Sequence, residues 1–567
     1  MKRTKITAWC VALALSLSAS APVEAQTSCT QVGPDIIVGD ITTPSNYLAQ
    51  GELEALSLGT TSCNIGDAPA NWISSTNQHP VIGGALFRLR TVDGATRFEQ
   101  VGMSWLKHGF VALSGSLCCP CLGGGGSQLG VHCSDPYGGS LNGSQGGLGP
   151  RWQVDARTGV FTYPPANPTW SGSTARRLEV AIADLATSDR YFGECIYVTQ
   201  DDATAGNQNN NASYREVAVS GGGTDWNFAL VGATIRGRSA VEAWPLVDPG
   251  VQQTVFAVPG EGGKAILSWK VTALGGGQHR YEYSLYNMNS DVGFRSFGVP
   301  VAGGPSISNA GFHDVTYRNG DGPGNVNFDG TDWATGQAAG HFSWSTQTFA
   351  QSATANAIRW SSAYNFRFDS DAAPTVGAVR IGLYETGQEM TLAGVQVPGG
   401  GPATGTPFCA ADGLDPLVTT DCPCDNAGTA GRGCENSAST GGALLLASGT
   451  TAPDAVVLTS SGELASAPSI FLQGDASVAG GAAFGDGVRC VGGTLLRLYV
   501  HAAAGGVVSA PQGLDDSITA RSAALGDPIA PGSTRLYQVY YRDPDPAFCF
   551  APIGSTWNVS SGQQIVW

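Results

Sequence analysis

Short alternating segments, broken at close intervals by Gly, Pro, Asn or Asp, run through the whole chain and confine it to an all-β fold. In TRLYQVYYRD, Leu536, Gln538 and Tyr540 fall on one face, and Tyr537, Val539 and Tyr541 on the other. That is the period of a strand with a layer to satisfy on each side. AILSWKVTAL and RYEYSLYNM flank GGGQH as the arms of a hairpin over 265–288. Good helix formers rarely cluster, and the 79 glycines in 567 residues are roughly twice the usual frequency. A chain this long divides into several cores. The expected architecture is multi-domain antiparallel β-sandwiches with disulfide-stapled loops.

Residues 1–25 read as a signal peptide. Lys2, Arg3 and Lys5 precede an apolar run, and Val23-Glu24-Ala25 offers a cleavage site. VQVPGGGPATGTP (395–407) reads as a flexible linker. The expected units are then an N-terminal β-rich domain with long polar loops (26–254), a central sandwich (255–394) and a C-terminal sandwich (408–567). Removing residues 1–25 leaves 26 basic against 44 acidic residues, a net charge of −18. So acidic a surface disfavours nucleic acid and anionic membranes as partners.

Thirteen cysteines follow the signal peptide, and in an exported chain their default state is disulfide. The six after the linker suggest three bridges, for which neighbour pairing gives Cys409–Cys422, Cys424–Cys434 and Cys490–Cys549. Before it, Cys29 with Cys63 makes a local clasp. Cys118, Cys119, Cys121, Cys133 and Cys195 remain, so one of them is left over. Adjacent Cys118 and Cys119 cannot easily bridge each other and must look elsewhere. A zinc site would want four ligands; Cys118 or Cys119 with Cys121, His132 and Cys133 fits only half of that pattern.

His79, His108 and His132 could supply three imidazoles to copper or zinc, or could be ordinary surface residues. In ECIYVTQDDATAGNQNNNASYRE, Glu194 and Asp201 could act as an acid/base pair. Asp201, Asp202 and Asn207 could instead donate oxygens to Ca²⁺. Asn325, Asn327 and Asp329 imitate the start of a calcium loop, without the glutamate or the helices of an EF-hand. Calcium is therefore the one cofactor these loops would suit, and none is certain. Trp333, in that polar loop, is the expected exposed aromatic for stacking on a sugar ring. No nucleophile elbow or phosphate-binding loop is present: GGGGSQLG lacks the Gly-Lys-Ser/Thr ending and a following helix.

DCPCDNAGTAGRGCENS, FGDGVRC and YQVYYRDPDPAFC…WNVSSGQQIVW resemble a C-terminal module of many secreted planctomycete proteins. WISSTNQHPVIGGALFRL, CSDPYGGSLNGSQGGLGPR and YVTQDDATAGNQNNNASYR resemble the N-terminal region of one such group, and RYEYSLYNMNSDVGFRSFGVPV its β-domain. The resemblance implies secretion and β architecture and supplies no catalytic residues. The function expected is a secreted, non-catalytic binding or cell-surface protein engaging glycans or a cell-envelope component. An extracellular polymer-degrading enzyme with its site in residues 70–216 is one alternative, and a calcium-stiffened structural matrix protein the other.

Overall fold

Strands buried on both faces build the middle of the molecule. The computed structural model describes residues 28–301, 305–318, 320–338, 340–399, 404–512, 515–545, 547–549 and 556–567. The expected signal peptide and the middle of the Gly/Pro linker lie outside the described residues. The first sheet is built on β1 (Ile36–Gln50), β2 (Leu53–Asn64), β3 (Val81–Val92), β4 (Ala95–Met103), β5 (Leu178–Ala181), β6 (Arg190–Val198), β7 (Ala212–Gly222) and β8 (Asp225–Ile235). Their order is β1-β2-β5-β4-β3-β6-β7-β8, every pair of neighbours being antiparallel.

In LEALSLGTTSCN of β2, eleven of twelve residues are buried: Ser134–Tyr137 pairs along its free edge, and the Ser57 hydroxyl reaches the Gly139 carbonyl of the next loop. Close cover demands small residues: a Cβ on Gly59 would sit 3.0 Å from the Gly139 backbone nitrogen. The cover is the cysteine-rich stretch. Cys118 bonds to Cys63 on β2, its neighbour Cys119 to Cys29, and Cys121 to Cys133. The Cys29–Cys63 clasp is thus corrected: adjacent cysteines point apart, and each takes a different partner. Cys195, on β6, is buried and unpaired, and burial pushes its thiol pKa up.

The central unit is a pair of five-stranded sheets. One orders β9 (Gln252–Ala257), β10 (Lys264–Gly275), β11 (Gln278–Asn287), β16 (Ser362–Ser370) and β13 (Ile307–His313). The other orders β14 (Ala334–Ala338), β15 (His341–Ser345), β12 (Phe294–Pro300), β17 (Pro374–Leu383) and β18 (Glu389–Pro398). The expected hairpin is β10–β11, in register from Ala265↔Asn287 to Ala273↔His279, with a shift before Gly275↔Gln278. Alternation along β11 explains how three sheets stack. Tyr281, Tyr283 and Leu285 face Phe297, Trp344 and Phe366 inside the sandwich. The intervening Glu282 and Tyr286 reach Arg97 and Glu194 of the first sheet, where Tyr286 joins an apolar cluster with Phe87, Phe98 and Trp244.

Beyond the linker, strands Pro468–Gly474, Leu496–Ala502 and Thr534–Arg542 form the body of a further sheet, and Leu444–Ser448, Val457–Ser461 and Val507–Ala510 a smaller one. Its bridges are Cys409–Cys490, Cys422–Cys434 and Cys424–Cys549, which corrects all three neighbour pairings. Cys409 follows the edge strand Thr406–Phe408, and pairing of that strand with Gly562–Val566 brings Cys409 to Cys490 of Gly487–Gly492. Among the described residues no helix is long and apolar enough to cross a membrane.

Candidate functional site: an aromatic and arginine-lined cleft

The residues singled out from the sequence do not converge on one centre. His79 and His108 do meet, with Nε2 of the first 3.4 Å from Nδ1 of the second, inside a cage of Phe110, Phe161 and Tyr163. The hydrogen bonds fix their tautomers. His79 Nε2 accepts from the Gly109 N–H, so it carries no proton. His108 Nδ1–H must then be the donor between the rings, and His79 Nδ1–H points at the Ile73 carbonyl. Burial holds both imidazoles neutral, with the His108 pKa pushed down to about 3. His132 lies in the stapled loop at φ 61°. Among the described residues no three His, Cys, Asp or Glu side chains come together to hold a metal, so the transition-metal triad is corrected.

The acidic candidates are used as hydrogen-bond acceptors inside the fold. Glu194 accepts from the Ala240 N–H and the Tyr286 hydroxyl, both at 2.7 Å; its burial raises its pKa to about 7. Asp201 accepts from the backbone and side-chain nitrogens of Asn71, so the proposed acid/base pair is split between two structural tasks. Asp202 accepts from the Ile36 N–H and the Asn211 amide, and Asn207 donates its amide to the Val32 and Pro34 carbonyls. In the second loop, Asn327 accepts from Gly320 and Asp329 from the Thr331 N–H and hydroxyl. Asn325 closes the short turn Pro323–Asn325 at φ 63°. These oxygens stabilise turns. Trp333 is only 3 % exposed; it packs on Phe312 and Tyr364 and donates to the Asn356 carbonyl, so the sugar-stacking expectation is corrected there.

The structure places a cleft elsewhere, where the end of β4 and the loops around β5 meet the loops after β13 and before β16. An inner recess of about 150 Å³ is lined by Met103, Arg151, Trp152, Phe328, Arg359 and Trp360, among others. It opens into a groove of about 560 Å³ bordered by Pro168 and Trp170. Trp105, Arg176, Glu179, Tyr317 and Arg318 line both. The outer volume lies within the roughly 300–1,000 Å³ usual for ligand sites.

Stacked planes organise the walls. The Arg176 guanidinium carbon lies 4.7 Å from the Trp105 ring centroid and 4.1 Å from that of Trp170, and Trp170 stays 40 % exposed. Arg151 lies over Trp360 at 5.0 Å, and Arg359 over Phe328 at 3.5 Å. Arg318 pairs with Glu179 at 3.3 Å. Asp321 accepts from the Trp105 indole and the Arg318 N–H, and burial raises its pKa to about 6. Burial also raises that of Glu179. Two residues here are held in left-handed backbone, Arg176 at φ 68° and Ser361, next to Trp360, at φ 56°. Such strain tends to collect at functional sites.

Sequence reading missed this cleft because its parts are spread over nearly three hundred residues and no motif joins them. The available signal was TWSGSTARR (169–177), a tryptophan and paired arginines in a Pro/Gly-rich stretch of a chain poor in basic residues.

No family model matches the chain, and no curated protein does. A solved structure described as an exo-β-D-glucosaminidase in complex with inhibitors resembles it at 12% identity and a TM-score of 0.13, over 62% of this chain and 26% of that one. The alignment thus spans about a quarter of that protein, and a likeness at this score carries no argument about fold or activity.

Proposed function

We propose that the protein is an exported binding protein that engages glycans of its surroundings or of the cell envelope through this cleft, without turning them over. One observation carries the reading: the half-exposed Trp170 and the ring of Trp105 bracket Arg176 along an open groove. A flat indole offers a sugar face apolar contact while the neighbouring guanidinium offers donors to hydroxyls. Export is supported by the signal-peptide pattern of residues 1–25 and by six disulfides, which persist in oxidising compartments. The resemblance of the C-terminal region to a module of secreted proteins points the same way.

The test is affinity electrophoresis of the oxidised protein through gels holding a panel of soluble polysaccharides, with reducing-end release assayed in parallel. Retardation by at least one glycan, without product, is expected. Trp170→Ala should abolish it while leaving the unfolding temperature unchanged, since that side chain is largely outside the core. Failure to be retarded by any glycan would sink the reading. Release of soluble ends would replace it with the polymer-degrading one, for which Glu179 and Asp321 in the cleft would be the carboxyls to mutate.

A further inference from the structure

The cleft gathers arginines on an acidic molecule, and most of them touch no carboxylate. The whole chain carries 29 basic against 45 acidic residues, yet Arg151, Arg176, Arg177, Arg318 and Arg359 all line one recess, beside the carboxyls of Glu179, Asp291, Asp321 and Glu385. Arg318 has Glu179 as its carboxylate. The hydrogen bonds of the other four go to neutral oxygens. Arg151 donates to the Ser104 and Gly84 carbonyls, and Arg176 to Asn167 and to the Gln145 and Pro168 carbonyls. Arg177 donates to Gly143 and Ser173, and Arg359 to Ala353, Ala355 and Ala357.

Among the four without a carboxylate, two are also incompletely satisfied. Arg151 is 9 % and Arg176 4 % exposed, and Arg151 Nη1 and Arg176 Nε are buried without a hydrogen-bond partner among the described residues. A desolvated charge without a counter-charge is costly, and buried charges are usually paired. Here aromatic rings hold them instead. A ring face orients a guanidinium by cation–π attraction without neutralising it, so its capacity to bind an anion is kept. Burial lowers the Arg151 pKa only to about 10, so it stays protonated at neutral pH.

We infer that the ligand of the cleft is an acidic glycan, one whose carboxylate or sulfate groups meet the guanidiniums that no carboxylate touches while its rings lie along the tryptophan-lined groove. This rests on the glycan-binding reading and specifies its substrate class. The overall negative charge repels polyanions at long range, so binding must come from this local site. Planar guanidinium forks match carboxylate and sulfate geometry, and an open groove admits a chain where a closed pocket would admit only a single ion.

The experiment compares ligands that differ in charge alone. Titration calorimetry of the full oxidised protein uses polygalacturonate against its fully methyl-esterified form, and dextran sulfate against dextran. Binding of at least one acidic member about tenfold tighter than its neutral twin is expected, from one or two charge-assisted contacts. It should weaken steeply toward 1 M NaCl, where screening acts within about 3 Å. Arg177→Gln and Arg359→Gln should each reduce the preference several-fold. The wild-type comparison stands even if a variant misfolds. Preference for the carboxylated or the sulfated member identifies which anion fills the site. Equal binding of acidic and neutral twins, or retention of neutral glycans alone, overturns the inference and leaves the glycan reading standing. No binding to any glycan overturns both.

Discussion

Two stretches of one junction treat their charges in opposite ways. Along the seam between the first sheet and the central sandwich, buried charges have partners. Arg97 clasps both oxygens of Glu282, with Nη2 2.7 Å from Oε1. Arg280 likewise holds Asp369, at 2.7 and 2.9 Å. A few residues away, in the cleft, Arg151 and Arg176 are as buried but rest on tryptophan faces with N–H groups unused. Each solution suits a different task. Paired charges in the seam fix how two sheets dock and leave nothing for a ligand. Unpaired charges in the cleft contribute little to docking and keep their attraction for something that arrives later.

The largest effect expected from breaking this contrast is in the seam. Glu282→Ala leaves Arg97 buried without its carboxylate, and deletion of one partner of a buried pair costs about 3–5 kcal/mol. Chemical denaturation should show a loss of that order. A loss under 1 kcal/mol would mean that Arg97 finds Glu99, 4.0 Å away, or water, and that the seam is no more specific than the cleft.

A second effect tests burial without pairing, in the histidine cage. His79 and His108 are neutral in the fold because burial lowers their pKa values, whereas in the unfolded chain they titrate near 6.5. The folded protein therefore binds fewer protons below pH 6.5. The stability conferred is fully present above that pH and is lost as pH falls toward about 3. The slope is roughly 1.4 kcal/mol per pH unit for one histidine. His108→Phe, which fits beside Phe161, should flatten the fall in unfolding temperature between pH 6.5 and 4. An unchanged slope would assign acid sensitivity to other groups.

Strand identity was legible in the sequence because a period of two survives in any local window. The β10–β11 hairpin and the Thr534–Arg542 strand can be read from their own residues. Pairing across distance was not legible. Cys424 bonds to Cys549, 125 residues on, because sheet order carries them together, and nothing in the spacing encodes that order. The same reason hid the cleft: Trp105, Arg176 and Arg359 come from three loops whose meeting is decided by how sheets stack. Trp333 departs from its expectation because a polar loop need not expose every side chain: its indole reaches back under the loop to the Asn356 carbonyl.

The smallest expected effect is the most discriminating. Arg97→Met removes a guanidinium that neutralises Glu282 and should cost several kcal/mol, as Glu282→Ala does. Arg359→Met removes one that makes no ion pair and acts on the Glu385 carboxylate only through space. The methionine stem can keep its contact with Phe328, and the carbonyls of Ala353, Ala355 and Ala357 lie on a loop where water can replace the lost donors. A change within about 1 kcal/mol is expected there. If both substitutions cost the same, Arg359 is as structural as Arg97, and the unpaired state of the cleft arginines would say nothing about a ligand. If Arg359→Met is neutral while Arg97→Met is severe, the fold does not need that charge, and its place in the cleft is explained by what the cleft binds.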